Sequence, residues 1–127
     1  PWIYGGQQYH NNFMDAGEIA RFCERTGFKI CYYTSHAKLW CNYAGTELVD
    51  HARELLPHTR YLHLADAIGT DGEGIQIEEG EINWNGLMEV YDEFEGPMIT
   101  EIWRGHEKDG AEFKKAAERL RKYIGPD

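Results

Sequence analysis

Residues 59–66 read Thr59-Arg60-Tyr61-Leu62-His63-Leu64-Ala65-Asp66, and this stretch decides how the chain is built. Successive side chains of an extended chain point to opposite faces, so Tyr61, His63 and Ala65 share one face and Leu62, Leu64 and Asp66 the other. Leucines alternating with Tyr and His predict a strand with both faces buried. The strand leaves through Asp66-Ala67 into Gly69–Gly80, GTDGEGIQIEEG. That run is too long and too rich in glycine for a tight turn, and is expected to be a functional or mobile loop beside which a ligand sits.

Working outward, the flanking segments alternate between helical and extended patterns. Asp15–Thr26 reads as a helix, with Asp15 as cap, Glu18 at the capping-box position, Gly27 as stop, and a buried stripe of Ile19, Phe22 and Cys23. Phe28–Tyr33 (FKICYY) is rich in aromatic residues and reads as a strand, with Thr34-Ser35-His36 at its C-terminal end. Lys38–Tyr43 is expected to be a loop or a short helical turn carrying Trp40. Thr46 caps a second helix to Leu56, with Leu48, Val49, Ala52, Leu55 and Leu56 inward, and Pro57 ends it. Ile82–Phe94 contains a third helix, capped by Asn83 or Asn85, with a stripe of Leu87, Val90, Tyr91 and Phe94. Met98–Trp103 (MITEIW) is a strand with Glu101 among apolar neighbours, and His106–Gly110 a loop. Phe113, Ala116, Ala117, Leu120 and Ile124 mark a last helix that Gly125-Pro126 terminates. Pro1–Asn12 has no period; its Trp, Tyr, Gln and Asn suit a sugar-contacting loop.

Strands joined by helices are parallel strands with right-handed crossovers. No GxGxxG or P-loop opens a helix after a strand, which argues against a nucleotide-binding sheet. About three strands make a poor closed core. The expected fold class is therefore α/β, a partial (β/α)8 barrel, with residues 1–127 as one domain. The missing strands are expected from residues before Pro1 or from another chain, so the rest of the barrel or a second copy is the expected protein partner.

Composition narrows the function classes. A net charge of −9 and a pI near 5.1 repel a phosphate backbone, so no nucleic-acid partner is expected. No run is long enough to cross a membrane and no leader pattern is present, so no membrane association is expected. Cys23, Cys31 and Cys41 form no CxxC pair; they fit small buried thiols of a reduced, cytoplasmic protein.

Barrel chemistry is placed where strands end. Those positions hold Tyr33 and His36, then His63 and Asp66, then Glu101 and Arg104. Imidazole and carboxylate groups converging from neighbouring strands suit a divalent ion (Mn, Co, Zn or Mg), which polarises a sugar hydroxyl and carbonyl while a carboxylate moves a proton on the adjacent carbon. A competing reading pairs Glu101 with Arg104 or a lysine as a structural carboxylate.

The segments CYYTSHAKL, RYLHLADAIGTDGEG, EEGEINWNGLMEVYDEF and MITEIW resemble the second half of the xylose isomerase-like TIM barrels, which include sugar and sugar-phosphate isomerases and epimerases together with endonuclease IV. The resemblance covers nearly the whole chain. It implies a metal-dependent isomerase or epimerase with Glu101 as acid/base, His63 and Glu101 as metal ligands, and His36 in contact with substrate. Asp66, Trp40, Trp103 and Arg104 complete the candidate substrate contacts. The pattern departs from the family at Tyr33, where the epimerase branch carries a metal-binding Asp, and the fourth ligand, a Glu, is expected just before Pro1. Gly72-Glu73-Gly74 stands where endonuclease IV-like enzymes carry an extra Asp-x-His pair, and Glu78 where a Gly is usual, so DNA repair is not expected. The alternative is a non-catalytic module, like extensions attached to some sialic-acid-synthase-like proteins, that binds sugar without metal through Trp2–Tyr9, Trp40 and Trp103.

Overall fold

The computed structural model describes residues 14–124 and the backbone of residues 2–4 and 7–9. The chain opens with a hairpin of β1 (Trp2–Tyr4) and β2 (Gln7–Tyr9), then helix α1 (Ala16–Thr26) and strand β3 (Ile30–Tyr33). Two helices follow, α2 (Thr34–Ala44) and α3 (Leu48–Leu55), leading through a 3-10 turn at Leu56–His58 into β4 (Thr59–Leu64). A second hairpin, β5 (Asp66–Ile68) and β6 (Gly72–Ile75), precedes α4 (Trp84–Val90), β7 (Met98–Thr100) and α5 (Glu107–Leu120).

Strands β3, β4 and β7 form one parallel sheet in that order. Consecutive parallel strands lie side by side with no reversal of direction along the sheet. That is the winding of a barrel segment; a doubly wound sheet reverses at a switch point. The register aligns Tyr33 with His63 and His63 with Ile99, and on the alternate rows Tyr32 with Leu62 and Leu62 with Met98. Tyr32, Leu62 and Leu64 are buried beneath the helices. Tyr61 and Ile99 on the other face are each 48% exposed and His63 is half-buried. The expectation of a strand buried on both faces is therefore corrected: among the described residues only the leucine face is covered, and the His63 face is the concave side of an open segment.

The helices follow their caps. Asp15 accepts from Glu18 N at 3.0 Å to open α1, and Gly27 closes it at φ 75°. Phe22 stays 39% exposed, packing edge-on against Phe28 instead of entering the core. Asn83 caps α4 through Gly86 N. Several boundaries differ from the sequence reading: β3 begins at Ile30 instead of Phe28, and β7 ends at Thr100 instead of Trp103. Residues 38–43 belong to the full helix α2, which begins directly after β3 without a loop or a capping side chain to announce it. Glu47, not Thr46, occupies the cap position of α3. In α5, Lys108, Asp109 and Gly110 form a left-handed turn before the regular helix; beyond it Ala117 and Ile124 face solvent, while Ala116 and Leu120 are buried.

Within Gly69–Gly80 the expected loop is partly ordered as strand β6, paired antiparallel with β5. Pro1–Asn12 was expected as a loop; within it Trp2–Tyr4 and Gln7–Tyr9 pair as the antiparallel strands β1 and β2. The sugar-contacting role expected of Trp2–Tyr9 and the stop at Gly125-Pro126 lie outside the described residues. Cys23 and Cys41 are buried as expected, but Cys31 is exposed, because it lies on the concave face. No helix is long and apolar enough to cross a membrane among the described residues.

Candidate functional site

The concave face gathers polar groups at the C-terminal ends of its strands. His63, in β4, and Glu101, just past β7, face each other there because β4 and β7 pair in parallel register. His63 Nδ1 and Glu101 Oε2 are 2.8 Å apart. The Glu101 side chain is about half exposed (54%), so the buried carboxylate expected from its apolar neighbours is not what forms. Arg104 does not compensate it: Arg104 Nε donates to Glu107 at 2.7 Å.

Tyr33 stands beside this pair. Its ring lies 6.1 Å from that of His63 and 4.3 Å from that of His36, and its hydroxyl donates to the Glu101 carbonyl at 3.4 Å. His36 sits in the first turn of α2 and is placed by its two predecessors, both fully buried. Thr34 Oγ1 donates to Ala65 O at 2.8 Å, and Ser35 Oγ accepts from Gly74 N at 3.0 Å. Thr34 and Ser35 thus pin the start of α2 to β4 and β6, and His36 emerges from them. Its Nε2 meets Glu73 Oε2 at 2.7 Å. The site therefore holds two imidazole–carboxylate pairs, His63–Glu101 and His36–Glu73, with Tyr33 between them.

Partial burial pushes the Tyr33 hydroxyl up to about 12; the Glu101 carboxylate adds to the rise, a hydrogen bond with Ser35 opposes it, and Glu73 adds a smaller increment. Tyr33 is a neutral donor at physiological pH. Without a cation beside it, it presents a neutral hydroxyl where an aspartate would present an anionic oxygen. A divalent ion of this class needs at least three protein donors. His63 and Glu101 supply two, and no group of three or more His, Cys, Asp or Glu side chains converges among the described residues. The described residues do not complete a metal centre.

The other candidates scatter. Asp66 is fully buried: Oδ1 accepts from Ala67 N (2.9 Å) and Ile82 N (3.0 Å), and Oδ2 from Trp84 Nε1 (2.8 Å). Those bonds tie β5 to the start of α4 and leave the side chain turned away from solvent. Trp40 packs near Tyr43 in the helical layer, in a cleft lined by Asp15, Glu47 and Glu54. Trp103 is 70% exposed and holds the β6 hairpin through its amide, which donates to Gly74 O at 2.9 Å. Sequence reading passed over Glu73 because it was compared with a metal-ligand pattern and lacked the ligands. The signal was the glycine on each side of it.

A family model described as the xylose isomerase-like TIM barrel matches residues 4–123. No curated protein matches the chain.

Proposed function

The chain belongs to the xylose isomerase-like TIM barrel family, and on that premise we propose that it contributes the proton-transfer half of a sugar isomerase or epimerase site. The supporting observation is the His63–Glu101 pair, 2.8 Å apart and open to the concave face at the strand ends. In this reading the Glu101 carboxylate removes the proton from the carbon next to a sugar carbonyl. His63 Nδ1–H holds that carboxylate in place before the transfer. Tyr33 acts as a neutral donor to a sugar oxygen. Return of the proton to the same carbon, to its other face or to the neighbouring carbon separates exchange, epimerisation and isomerisation. Two carboxylates border the site, and the nearby Arg104 is engaged by Glu107. That charge balance supports a neutral sugar over its phosphate.

Metal dependence is a separate proposal. His63 and Glu101 are the side chains offered to a divalent ion, and the further donors it needs are not among the described residues. The alternative, a sugar-binding module without catalysis, rests on Tyr33 standing where a ligand carboxylate is expected.

The test is incubation with aldoses, ketoses and their phosphates in deuterium oxide, with and without Mn2+ or Co2+, followed by NMR of the carbon-bound proton. Deuterium should enter next to the carbonyl. Glu101→Gln should slow that entry by roughly 10²–10⁴-fold, the range a positioned acid–base group contributes. Sugar binding without exchange, in a folded protein, would favour the non-catalytic module.

A further inference from the structure

Glu73 occupies a position that the local backbone is built to fix. Gly74 has φ +66°, and a Cβ there would come within 3.2 Å of Trp103 N and Cβ. A Cβ on Gly72 would come within 2.8 Å of Ile68 O. Between these two glycines, Gly74 N is held by Ser35 Oγ and Gly74 O by Trp103 N. The hairpin is thus anchored on both sides of the strand without any help from the Glu73 side chain. The His36–Glu73 pair, its side chains 32% and 33% exposed, is thus not what holds the hairpin. It is better suited to setting His36.

We propose that Glu73 is a positioning residue acting through His36, and that the two form a second acid–base pair on the far side of Tyr33 from His63–Glu101. A carboxylate only accepts, so at 2.7 Å it requires the proton on Nε2 of His36. That choice puts the lone pair of the neutral ring on Nδ1 and fixes the ring plane against Tyr33, 4.3 Å between centroids. An orienting carboxylate of this kind sets tautomer and direction for a neighbouring imidazole base without touching substrate. With the proposed function as premise, Glu101 takes the carbon-bound proton. The electron pair of that C–H bond becomes the C=C bond of an enediolate as the carbonyl π pair moves onto oxygen. His36 Nδ1 then accepts the proton from the neighbouring hydroxyl as the new carbonyl forms and passes it to the first oxygen, while Glu101 returns its proton to carbon, so that both groups end as they began.

The test compares the whole chain with Glu73→Leu, which keeps bulk and removes the acceptor, using histidine labelled with 15N at a pH where imidazoles are neutral. In the unmodified protein His36 should appear as the Nε2–H tautomer; in Glu73→Leu both tautomers should be populated. In the deuterium-exchange reaction the same substitution should lower kcat by roughly 10²-fold with little change in KM, the low end of acid–base contributions. An unchanged tautomer in Glu73→Leu overturns the proposal, as does a changed tautomer with an unchanged kcat. Absence of exchange in the unmodified protein would count against the isomerase reading alone, and the tautomer measurement would still decide whether Glu73 sets His36.

Discussion

Tyr32 and Tyr33 are neighbours in one strand and stand beside histidines on opposite faces of the sheet. Tyr32 is 3% exposed, and its hydroxyl donates to His51 Nδ1 at 3.0 Å, while His51 Nε2 donates to Met14 O at 2.9 Å. Each polar atom of that chain is satisfied within the protein and away from solvent. Tyr33 is half-buried among His36, His63 and Glu101, whose side chains are themselves part exposed. The same residue pair, Tyr with His, therefore does two jobs. Beneath the helices it closes a network so that the core can hold polar atoms without penalty. On the concave face it presents titratable groups to whatever enters.

The sharpest way to break this division is to exchange the roles of two carboxylates. Asp66→Ala leaves Ala67 N, Ile82 N and Trp84 Nε1 without their acceptor in a fully buried place. A buried donor left unpaired costs about 1–3 kcal/mol, so this substitution should lower unfolding stability by roughly 3–5 kcal/mol in a urea titration. Glu101→Gln, on the open face, should change stability by less than about 0.5 kcal/mol while removing proton exchange. Comparable losses from the two substitutions would mean that the concave face is part of the core.

The second prediction concerns His51 and pH. Burial holds the His51 imidazole below its ordinary 6.5, partly offset by the hydrogen bond with Met14 and the nearby Asp15 and Glu54 carboxylates. The folded state then binds this proton less readily than the unfolded chain does. Its contribution is present above pH 6.5 and is lost as pH falls through the unfolded value toward the depressed folded one. Thermal unfolding should show Tm steady at neutral pH and falling in the acid window. His51→Gln should start lower, for want of the Tyr32 bond, yet fall less steeply. Parallel curves would show that His51 is not the titrating group.

How much of this was readable in the sequence follows the same division. Alternation of helix and strand, the caps at Asp15 and Asn83, and the leucine face of residues 59–66 are local patterns, and they located the sheet. His63 and Glu101 were readable because strand ends can be counted. Asp66 was misplaced because a carboxylate after a strand looks the same whether it caps buried amides or faces a ligand; only Trp84 Nε1, eighteen positions on, separates the two. The full length of α2 was hidden because Thr34 and Ser35 spend their hydroxyls on other elements, Ala65 and Gly74, instead of on a cap. The glycines on each side of Glu73 marked a special turn, but its partner His36, thirty-seven positions away, came into view only with the β6 hairpin.

The smallest expected effect tests the two tyrosines directly. Tyr32→Phe removes a buried hydrogen bond and leaves His51 Nδ1 without its donor, which should cost about 1–2 kcal/mol. Tyr33→Phe removes a 3.4 Å bond from a half-buried position, keeps the ring against His36, and should change stability by less than about 0.5 kcal/mol. Both substitutions delete one oxygen from the same strand, so strand propensity cancels between them and only the two faces differ. A clear gap between the two urea midpoints places the structural load on the helix side and leaves the concave side free to carry chemistry. Equal midpoints would mean that Tyr33 is already locked into a closed network of its own, and that the polar groups around it are scaffold.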